Sequence, residues 1–496
     1  MTPASPSWKA RRRRRSVSDF EPGNPGKLGA MADARPRKKL NALDRSFLAA
    51  ERRDAMMHVG ALFELSPPPG GNPADLSKAL RDELARSSLE GADQPWTVRS
   101  PWNLRLTHPD LLASPLQAWV LDDHFDIEYH VRRSALASPG DERELGILVS
   151  RLHSAPLDFH RPPWEAHFIE GLEGNRMALY VKVHHALVDG YSGMRILARS
   201  LSRSADEVTP LFFTREERVE VHEDDGHATL ATLLDIARDQ VGVAKDIGRA
   251  LVNIVRDRNA TDRVLALTAP SSVLNQKITR SRRFATLRIE LERIKKIAAA
   301  SGGTVNDVVL ALAGHGLRRF LLEQDALPAS PLVAMVPVNV RPQGDTSGGN
   351  AVGAILASLA TDDDDPRIAL QKIIASTKRA KAQLAGMSRN AIIQYSALVL
   401  APMMLAFLPG VAGRFRPAFN VVISNVPGPE TPLYFRGWKL DEMYPLSIPF
   451  HGYGLNITVQ SYAGWLNFGF TGCRDTLPHL QRLAVYAGDA LKLLEG

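Results

Sequence analysis

Apolar and polar residues alternate along several short stretches of the chain, and a period of two residues predicts β-strands. The clearest example covers residues 177–183, and residues 164–170 before it predict the strand with which it pairs. Three more stretches follow the same pattern, at residues 283–291, 455–462 and 465–471. The last two are separated by two residues that include a glycine, so they predict a β-hairpin.

A longer period, with apolar residues three or four positions apart, predicts helices between these strands. Residues 73–87 and 145–153 have this pattern in the first half of the chain. In the second half, Thr304 is placed to cap a helix that runs to Phe320, and Pro366 is placed to begin another. Strands that mix irregularly with helices are typical of the α+β class rather than of a doubly wound sheet.

These patterns divide the chain into four regions. Residues 1–39 have no apolar periodicity and predict a disordered basic tail. Residues 40–205 and 283–496 each mix strands with helices and predict two domains. Residues 206–282 form a connector, in which an amphipathic pattern at 230–255 predicts a helix packed across both domains. Because basic residues decorate this helix, a membrane-surface helix is the alternative interpretation.

The composition is that of a soluble globular protein, with 44% hydrophobic and 23% charged residues. The net charge of +7 is concentrated at the start, because residues 1–39 hold eleven Lys or Arg and three acids. Five consecutive arginines at residues 11–15 are able to bind anionic lipid or nucleic acid. The alternatives are a solvated tail, or a native start at Met31. The tail has no apolar segment of the kind found in a secretory signal.

Two further features bear on the compartment. Cys473 is the single cysteine, which excludes an intrachain disulfide and a cysteine-based metal cluster and favours a reducing, cytoplasmic setting. Residues 390–413 form the longest uncharged stretch, and their length meets the roughly 20-residue requirement for a membrane span. Because Pro402 and Pro409 interrupt it, a buried or membrane-touching helix is favoured over a spanning one.

The strongest functional signal stands at the end of the strand predicted over residues 177–183, where His184-His185 is followed by Asp189-Gly190. Successive strand residues face opposite sides, so the two imidazoles have different surroundings. An imidazole held at a strand end, with a carboxylate four residues later to fix the local geometry, suits a general base. Taken alone, such a histidine is more often a packed core residue.

The run from His184 to Gly190 resembles the HHxxxDG active-site motif of the bacterial wax ester synthase/diacylglycerol acyltransferase family. More broadly, it is similar to the HxxxD motif of CoA-dependent acyltransferases with the chloramphenicol-acetyltransferase-like fold. Further segments agree with that family in order along the chain, and they are Leu43-Asp44, residues 57–60, 156–158, 161–165, 306–309, 336–342 and 424–429. The resemblance extends from about Leu40 to the C-terminus.

The resemblance implies two chloramphenicol-acetyltransferase-like α/β sandwich domains joined by the helical connector, with an active-site tunnel at their interface. It implies acyl transfer from acyl-CoA, as co-substrate, to diacylglycerol or to a long-chain alcohol, giving triacylglycerol or wax esters. Neither a cofactor nor a metal is expected. We expect a cytoplasmic protein, peripherally associated with the inner face of the membrane or with lipid droplets, and no nucleic-acid partner.

Within the motif, His185 is the expected general base, which takes the proton of the acceptor hydroxyl and returns it to the CoA sulfur. His184 either supports the strand end by hydrogen bonding or simply packs there. A tight turn directs Asp189 away from the strand face, and the resemblance implies a structural ion pair for it, for which Arg341 is the candidate partner. Gly190 allows close backbone approach or a positive φ.

Two more pairs are candidate site residues. Asn306 and Asp307 stand at a predicted helix start, where free backbone N–H groups favour a negative oxygen. Asn306 is a possible oxyanion donor, while Asp307 either contributes to substrate binding or only caps the helix. Ser424 and Asn425 follow an alternating segment at residues 419–423 and either face the substrate channel or shape the turn before Pro427.

One departure from the family pattern concerns the N-terminal PLxxxD signature, which reads Lys39-Leu40-Asn41-Ala42-Leu43-Asp44 here and lacks the proline. This leaves the contribution of the segment to the acyl channel open. Two alternative functions also stay open. One is acyl transfer to another alcohol or to an amine, and the other is a non-catalytic protein that binds lipid or nucleic acid through its basic tail.

Overall fold

The computed structural model describes residues 37–86, 98–214, 223–224, 269–339, 352–385 and 416–496. Four predictions fall on residues outside these ranges, namely the amphipathic helix at 230–255, the apolar stretch at 390–413, most of the tail at 1–39, and Arg341 as the partner of Asp189.

The first half of the chain supplies the strands and helices that surround the histidine motif. Its described strands are β1 (Arg37–Lys39), β2 (His58–Ser66), β3 (Leu104–Leu106), β4 (Ala118–Leu121), β5 (Val131–Ala135), β6 (Trp164–Glu170), β7 (Met177–His184) and β8 (Glu223–Asp224). Its described helices are α1 (Ala42–Ala50), α2 (Pro73–Arg86), α3 (Ile127–His130), α4 (Glu142–His153) and α5 (Gly190–Ala198). The predicted strands at 164–170 and 177–183 are confirmed as β6 and β7. The predicted helix at 73–87 is confirmed as α2.

The second half begins with the strand predicted at 283–291. Its described strands are β9 (Arg282–Glu290), β10 (Val333–Asn339), β11 (Val352–Ser358), β12 (Val421–Val426), β13 (Tyr434–Phe435), β14 (Trp438–Leu446), β15 (Leu455–Tyr462) and β16 (Trp465–Cys473). Its described helices are α6 (Leu291–Ser301), α7 (Val305–Leu322), α8 (Pro366–Ala385) and α9 (Gln481–Glu495). Ala463 and Gly464 have positive φ between β15 and β16, which confirms the predicted hairpin.

Six strands form the sheet of the first lobe, in the order β13-β14-β2-β7-β6-β5. The central strand β7 pairs antiparallel with β2 on one side and with β6 on the other. β13 and β14 come from the second half of the chain, where Tyr444 pairs with Leu62 of β2. The first sheet therefore contains strands from both sides of the boundary predicted at residue 283. The local alternation of apolar and polar residues carries no information about pairing between residues so distant in sequence.

The second lobe is built on a sheet in the order β11-β10-β12-β15-β16-β9. β12 pairs parallel with β10 and with β15, and the other pairs are antiparallel. Helices α6 to α9 pack on one face of this sheet and bury the largest apolar cluster of the lobe. Both lobes are therefore sheets covered by helices, in agreement with the expected α+β class.

A small third sheet, in the order β3-β4-β1-β8, borders the first lobe. Lys38 of β1 pairs with Trp119 of β4 and with Glu223 of β8. Residues 37–39 therefore belong to a sheet and not to the tail predicted over residues 1–39, because neighbouring strands satisfy their backbone on both sides.

The two faces of the first sheet differ in polarity. One face presents Val59, Phe63 and Val181 to an apolar core that also contains residues of the second lobe. The opposite face lies beneath α4 and carries the buried polar side chains of His58 and Lys182 among apolar neighbours. The histidine motif thus begins at the end of a strand that separates an apolar layer from a polar one.

Among the helices that the structure describes, none taken singly has both the length and the hydropathy to cross a bilayer. Helices α6 and α7 meet that requirement only as a pair bent by 99°.

Candidate active site

The histidine motif runs from the last residue of β7, His184, through a short turn to the first residue of α5, Gly190. The carbonyl of His184 accepts hydrogen bonds from the N–H groups of Leu187 at 2.9 Å and Val188 at 3.3 Å. Asp189 then caps α5, because its carboxylate accepts from the N–H of Ser192 at 2.9 Å and from its hydroxyl at 2.7 Å. His185 is thereby held on a short turn that is fixed at both ends.

His185 is half-buried at the start of this turn. Its N–H donates to the carbonyl of Met57 at 2.9 Å, and its ring stacks on Phe47 with 4.0 Å between the ring centres. Burial lowers its pKa to about 4, and the nearby charge of Asp189 only partly opposes this shift. At neutral pH the imidazole is therefore neutral, which is the form that accepts a proton.

His184 is fully buried, on the side of the turn away from His185. Its Nδ1 accepts from the N–H of Ala186 at 3.1 Å, and its Nε2 lies 3.5 Å from Oε2 of Glu51. The ring therefore touches both the turn and the segment after α1, which agrees with the predicted hydrogen-bonding alternative.

Glu51 is a residue of this site that the sequence did not reveal. Its side chain is 7% exposed, and Oε2 accepts from the N–H of Met57 at 2.5 Å while it lies beside His184. The carbonyl of Met57 in turn accepts from the N–H of His185. The Glu51 carboxylate therefore holds in place the peptide segment to which His185 is bonded. No local pattern marks this role, because Glu51 acts through contacts made only in the folded chain.

Lys182 anchors the same strand two residues before His184. Its fully buried ammonium donates to the carbonyls of Leu152 at 3.1 Å and Ala155 at 2.9 Å, and lies 3.4 Å from Glu165. Burial lowers its pKa, and the carboxylate of Glu165 partly offsets this effect. A charged residue between two valines is the sequence signal for such an internal anchor.

The segment that lacks the family's proline begins α1. The side chain of Asn41 caps this helix by accepting from the N–H of Asp44 at 2.7 Å. Burial raises the pKa of Asp44 to about 6, while Lys38 opposes the shift. The same helix carries Phe47, so this segment contributes the ring on which His185 stacks.

Gly190 differs from the expectation. It is the first residue of α5 and its φ is not positive, so the left-handed interpretation was wrong. A Cβ built on it meets no described atom within 4 Å, so no described residue requires a glycine here for close approach. Arg341, the predicted partner of Asp189, lies outside the described residues.

Asn306 and Asp307 lie in the first turn of α7, and the predicted cap is confirmed. Asp307 is 2% exposed, and its carboxylate accepts from the N–H and hydroxyl of Thr304 at 2.7 Å each and from the hydroxyl of Thr377 at 2.6 Å. These bonds favour the capping interpretation for Asp307. Asn306 is half-buried beside it.

Ser424 and Asn425 lie within β12 rather than in the turn after it. They pair with Thr458 and Val459 of β15, and both are half-buried. The strand predicted at 419–423 is displaced toward the C-terminus, because its parallel pairing with β15 continues to Val426. The turn-shaping interpretation of Ser424 and Asn425 therefore does not hold, and exposure to a channel remains their predicted role.

Segment 51–57 also lies where the two lobes meet. The guanidinium of Arg282, in β9, donates to the carbonyl of Asp54 at 3.1 Å, and Nε2 of His451 lies 3.3 Å from the carboxylate of Asp54. The histidine turn of the first lobe is therefore two contacts away from the second lobe. Within the described ranges, no group of three or more His, Cys, Asp or Glu is placed to hold a metal ion.

Comparison with known proteins agrees with this geometry. The family model for the wax ester synthase/diacylglycerol acyltransferase catalytic domain matches residues 40–309, and the model for the C-terminal domain of the same family matches residues 348–495. The chain is 48% identical to a putative diacylglycerol O-acyltransferase of Mycobacterium tuberculosis, with 92% of this chain and 97% of the relative covered. It is 37% identical to the O-acyltransferase WSD of Acinetobacter baylyi, with the same coverage of both chains.

Solved structures lead to the same conclusion. The wax ester synthase/diacylglycerol acyltransferase of Marinobacter aquaeolei VT8 superposes with a TM-score of 0.72 at 40% identity, covering 92% of this chain and 98% of that one. The first condensation domain of the CDA synthetase, at 18% identity and a TM-score of 0.52, covering 92% of this chain and 96% of that one, shares the fold alone. The expected two-domain fold and the resemblance are both confirmed. The chain belongs to the wax ester synthase/diacylglycerol acyltransferase family.

Proposed function

We propose that this protein transfers a fatty acyl group from acyl-CoA to the free hydroxyl of diacylglycerol, of a long-chain alcohol, or of both, with His185 as general base. That the chain is an acyltransferase follows from its family. The observation that carries the assignment of the base is the neutral imidazole of His185, held at the end of β7 by Met57 and Phe47.

The chemistry requires one proton to move twice. The imidazole of His185 takes the proton from the acceptor hydroxyl as its oxygen attacks the thioester carbonyl. The tetrahedral intermediate then collapses, the C–S bond breaks, and the imidazolium returns the proton to the CoA thiolate. No covalent enzyme intermediate is needed, and one base serves both steps.

The burial that lowers the pKa of His185 has a second role in this scheme. Water competes with the alcohol for the thioester, so the site must exclude it. A ring stacked on Phe47 and placed at the edge of an apolar core satisfies this requirement on the protein side. A dry site also strengthens each electrostatic contact to the developing oxyanion.

The oxyanion donor in this proposal is Asn306. It is half-buried in the first turn of α7, where unpaired N–H groups and the helix dipole favour negative charge. The neighbouring Asp307 holds this turn in place through Thr304 and Thr377. Ser424, Asn425 and Gly190 are proposed to border the acceptor and acyl chains.

Acceptor choice is tested by supplying purified protein with palmitoyl-CoA and a panel of acceptors, while released thiol is measured. We expect diacylglycerol or hexadecanol to release CoA and form the corresponding ester. Turnover with short alcohols or amines alone would instead assign another acceptor class. Absence of turnover with every acceptor would favour a non-catalytic lipid-binding protein.

We also propose that the protein works in the cytoplasm at the surface of the membrane or of lipid droplets, because both acceptors dissolve in lipid. Flotation with phosphatidylglycerol vesicles tests this, and a protein that stays in the soluble fraction would contradict it. Comparison of the full chain with residues 31–496 separates the contribution of the basic tail.

A further inference from the structure

A large open cleft runs between α4 of the first lobe and β9 of the second. Its volume is about 1190 Å³, which is enough for a ligand of several hundred daltons. Arginine is prominent among its lining residues, which include Arg143, Arg151, Arg280, Arg282, Arg283 and Arg474. We call this feature the arginine cleft; His185 is not among its lining residues.

Most positive charges of the arginine cleft have no carboxylate partner among the described residues, and the exception is Arg474, whose Nε lies 3.7 Å from the carboxylate of Asp475. Arg143, Arg151 and Arg280 are exposed, and their guanidinium groups have no hydrogen bond or ion pair to any residue that the structure describes. Nε of Arg283 is buried without a partner in the described part of the chain. Burial lowers the pKa of Arg283, and the charges of Arg474 and Arg143 lower it further, so these cations repel one another.

The carboxylates at the edge of the cleft do not neutralise these arginines. Glu64 and Glu142 both bind Arg176, at 2.8 Å each, and Arg176 is not one of the cleft arginines. Burial and the neighbouring carboxylates of Glu142 and Glu442 also raise the pKa of Glu64 above its usual value, which weakens its negative charge further. Unpaired cations gathered in a concave site indicate an anionic ligand.

We propose that the arginine cleft binds the phosphate groups of the CoA part of the acyl donor, a site that rests on the function proposed above. The diphosphate and the 3′-phosphate of CoA match a cluster of guanidinium groups in charge and in hydrogen-bonding geometry. The flexible pantetheine arm would carry the thioester away from this cluster toward the lobe junction.

The connection to the catalytic turn is short. Arg282 lines the cleft and donates to the carbonyl of Asp54, and Asp54 is three residues before Met57, which holds His185. The cleft and the base are thus linked through the same segment, by Arg282 at Asp54 and by His185 at Met57. An anionic lipid headgroup offers the same phosphate chemistry, but a cleft recessed between two lobes suits a single ligand better than a bilayer surface.

The test uses the double charge reversal R143E/R280E, both at exposed side chains. The matched control is R367E/R379E, which changes the net charge by the same amount at exposed residues of α8, outside the cleft. We expect R143E/R280E to raise KM for palmitoyl-CoA at least about ten-fold, because each lost contact to a charged phosphate is worth about that factor. Turnover of the palmitoyl thioester of N-acetylcysteamine, which has no nucleotide, should change less than about two-fold, since no cleft contact is lost.

Direct binding separates this proposal from the enzymatic one. Calorimetry with 3′-phosphoadenosine 5′-diphosphate should show binding to the wild type and to the control, and loss of binding in R143E/R280E. That result would support the cleft even if no acceptor were esterified. An unchanged KM for palmitoyl-CoA together with unchanged nucleotide binding would overturn the proposal. Loss of binding to phosphatidylglycerol vesicles with an unchanged KM would also overturn it and assign the cleft to lipid headgroups.

Discussion

The two lobes each contain a helix that begins with a carboxylate in a capping position, and the two turns are used differently. In the first lobe, Asp189 caps α5 through Ser192 and leaves a half-buried histidine four residues before it. In the second lobe, Asp307 completes the cap of α7 with Thr304 and is itself sealed inside by Thr377.

The difference lies in what each carboxylate is free to influence. Both carboxylates accept from hydroxyl and N–H donors, but Asp189 also lies beside His185 and its charge acts on the pKa of that ring. Asp307 is 2% exposed and is bonded to a second helix through Thr377. A short sequence motif at the start of a helix therefore does not by itself identify a chemical role. Substitutions in the two turns should separate an effect on rate from an effect on stability.

The largest expected effect is on rate, in His185→Ala. Removal of the base should lower kcat/KM for ester formation by about 10²- to 10⁴-fold, the usual contribution of general acid–base catalysis. The thermal midpoint should stay close to that of the wild type, because the half-buried ring is not part of the main core. His160→Ala, at an exposed histidine of the same lobe, is the control. Activity near that of the wild type would remove His185 from the mechanism.

In the second lobe, Asp307→Ala should act on stability instead. Loss of the cap and of the buried bond to Thr377 should lower the free energy of unfolding by about 2–4 kcal/mol, measured in urea. Below its thermal transition the variant should lose at most about ten-fold in kcat, because Asp307 holds the turn that carries Asn306 but does not itself touch the substrate. A drop in kcat as large as that of His185→Ala would give Asp307 a direct role.

Glu51→Ala should affect both the rate and the stability, because Glu51 connects the fold to the base. We expect kcat to fall about ten-fold with little change in KM, since a displaced base costs rate more than binding. Glu51→Gln should restore most of the activity, because an amide oxygen still accepts from the N–H of Met57. If the glutamine and alanine variants were equally impaired, the charge of Glu51 would matter more than its bond.

The dependence of kcat/KM on pH tests how the charge of Asp189 acts on His185. With a pKa of about 4 for His185, kcat/KM should rise as the pH increases through about 4 and then stay level. The Asp189 carboxylate opposes the lowering of this pKa, so Asp189→Asn should move the acid limb to still lower pH while the amide keeps the cap. An acid limb near the ordinary histidine value would contradict the burial of the ring.

The smallest effect is expected for Gly190→Ala. An added Cβ meets no described atom within 4 Å and the backbone is already helical, so unfolding should become less favourable by up to about 1 kcal/mol. Thermal unfolding measures this change. A marked rise in KM for the acceptor would show that substrate occupies the space beside Gly190.

Local signals were enough to predict much of this molecule. The alternation in β7, the turn between β15 and β16, the Thr304 cap and Pro366 at the start of α8 all depend on neighbours within a few residues. The histidine motif was found for the same reason, since its seven residues are consecutive in the chain.

The features that escaped prediction depend on contacts between distant segments. β14 pairs with β2 although nothing in either strand specifies the partner, and the displaced β12 follows the register of β15. Glu51 has no motif around it, and the arginine cleft brings together residues from α4, β9 and the segment before α9. Charge that is scattered in the sequence becomes a cluster only after the lobes have packed.

The strand exchange between the lobes also has a consequence for synthesis on the ribosome. The edge of β2 stays uncovered until residues 438–446 have been translated, because β14 is the strand that completes that side of the sheet. A fragment ending at residue 205 would carry the histidine motif with an open, apolar flank, and such a fragment should aggregate unless the missing half is supplied alongside it.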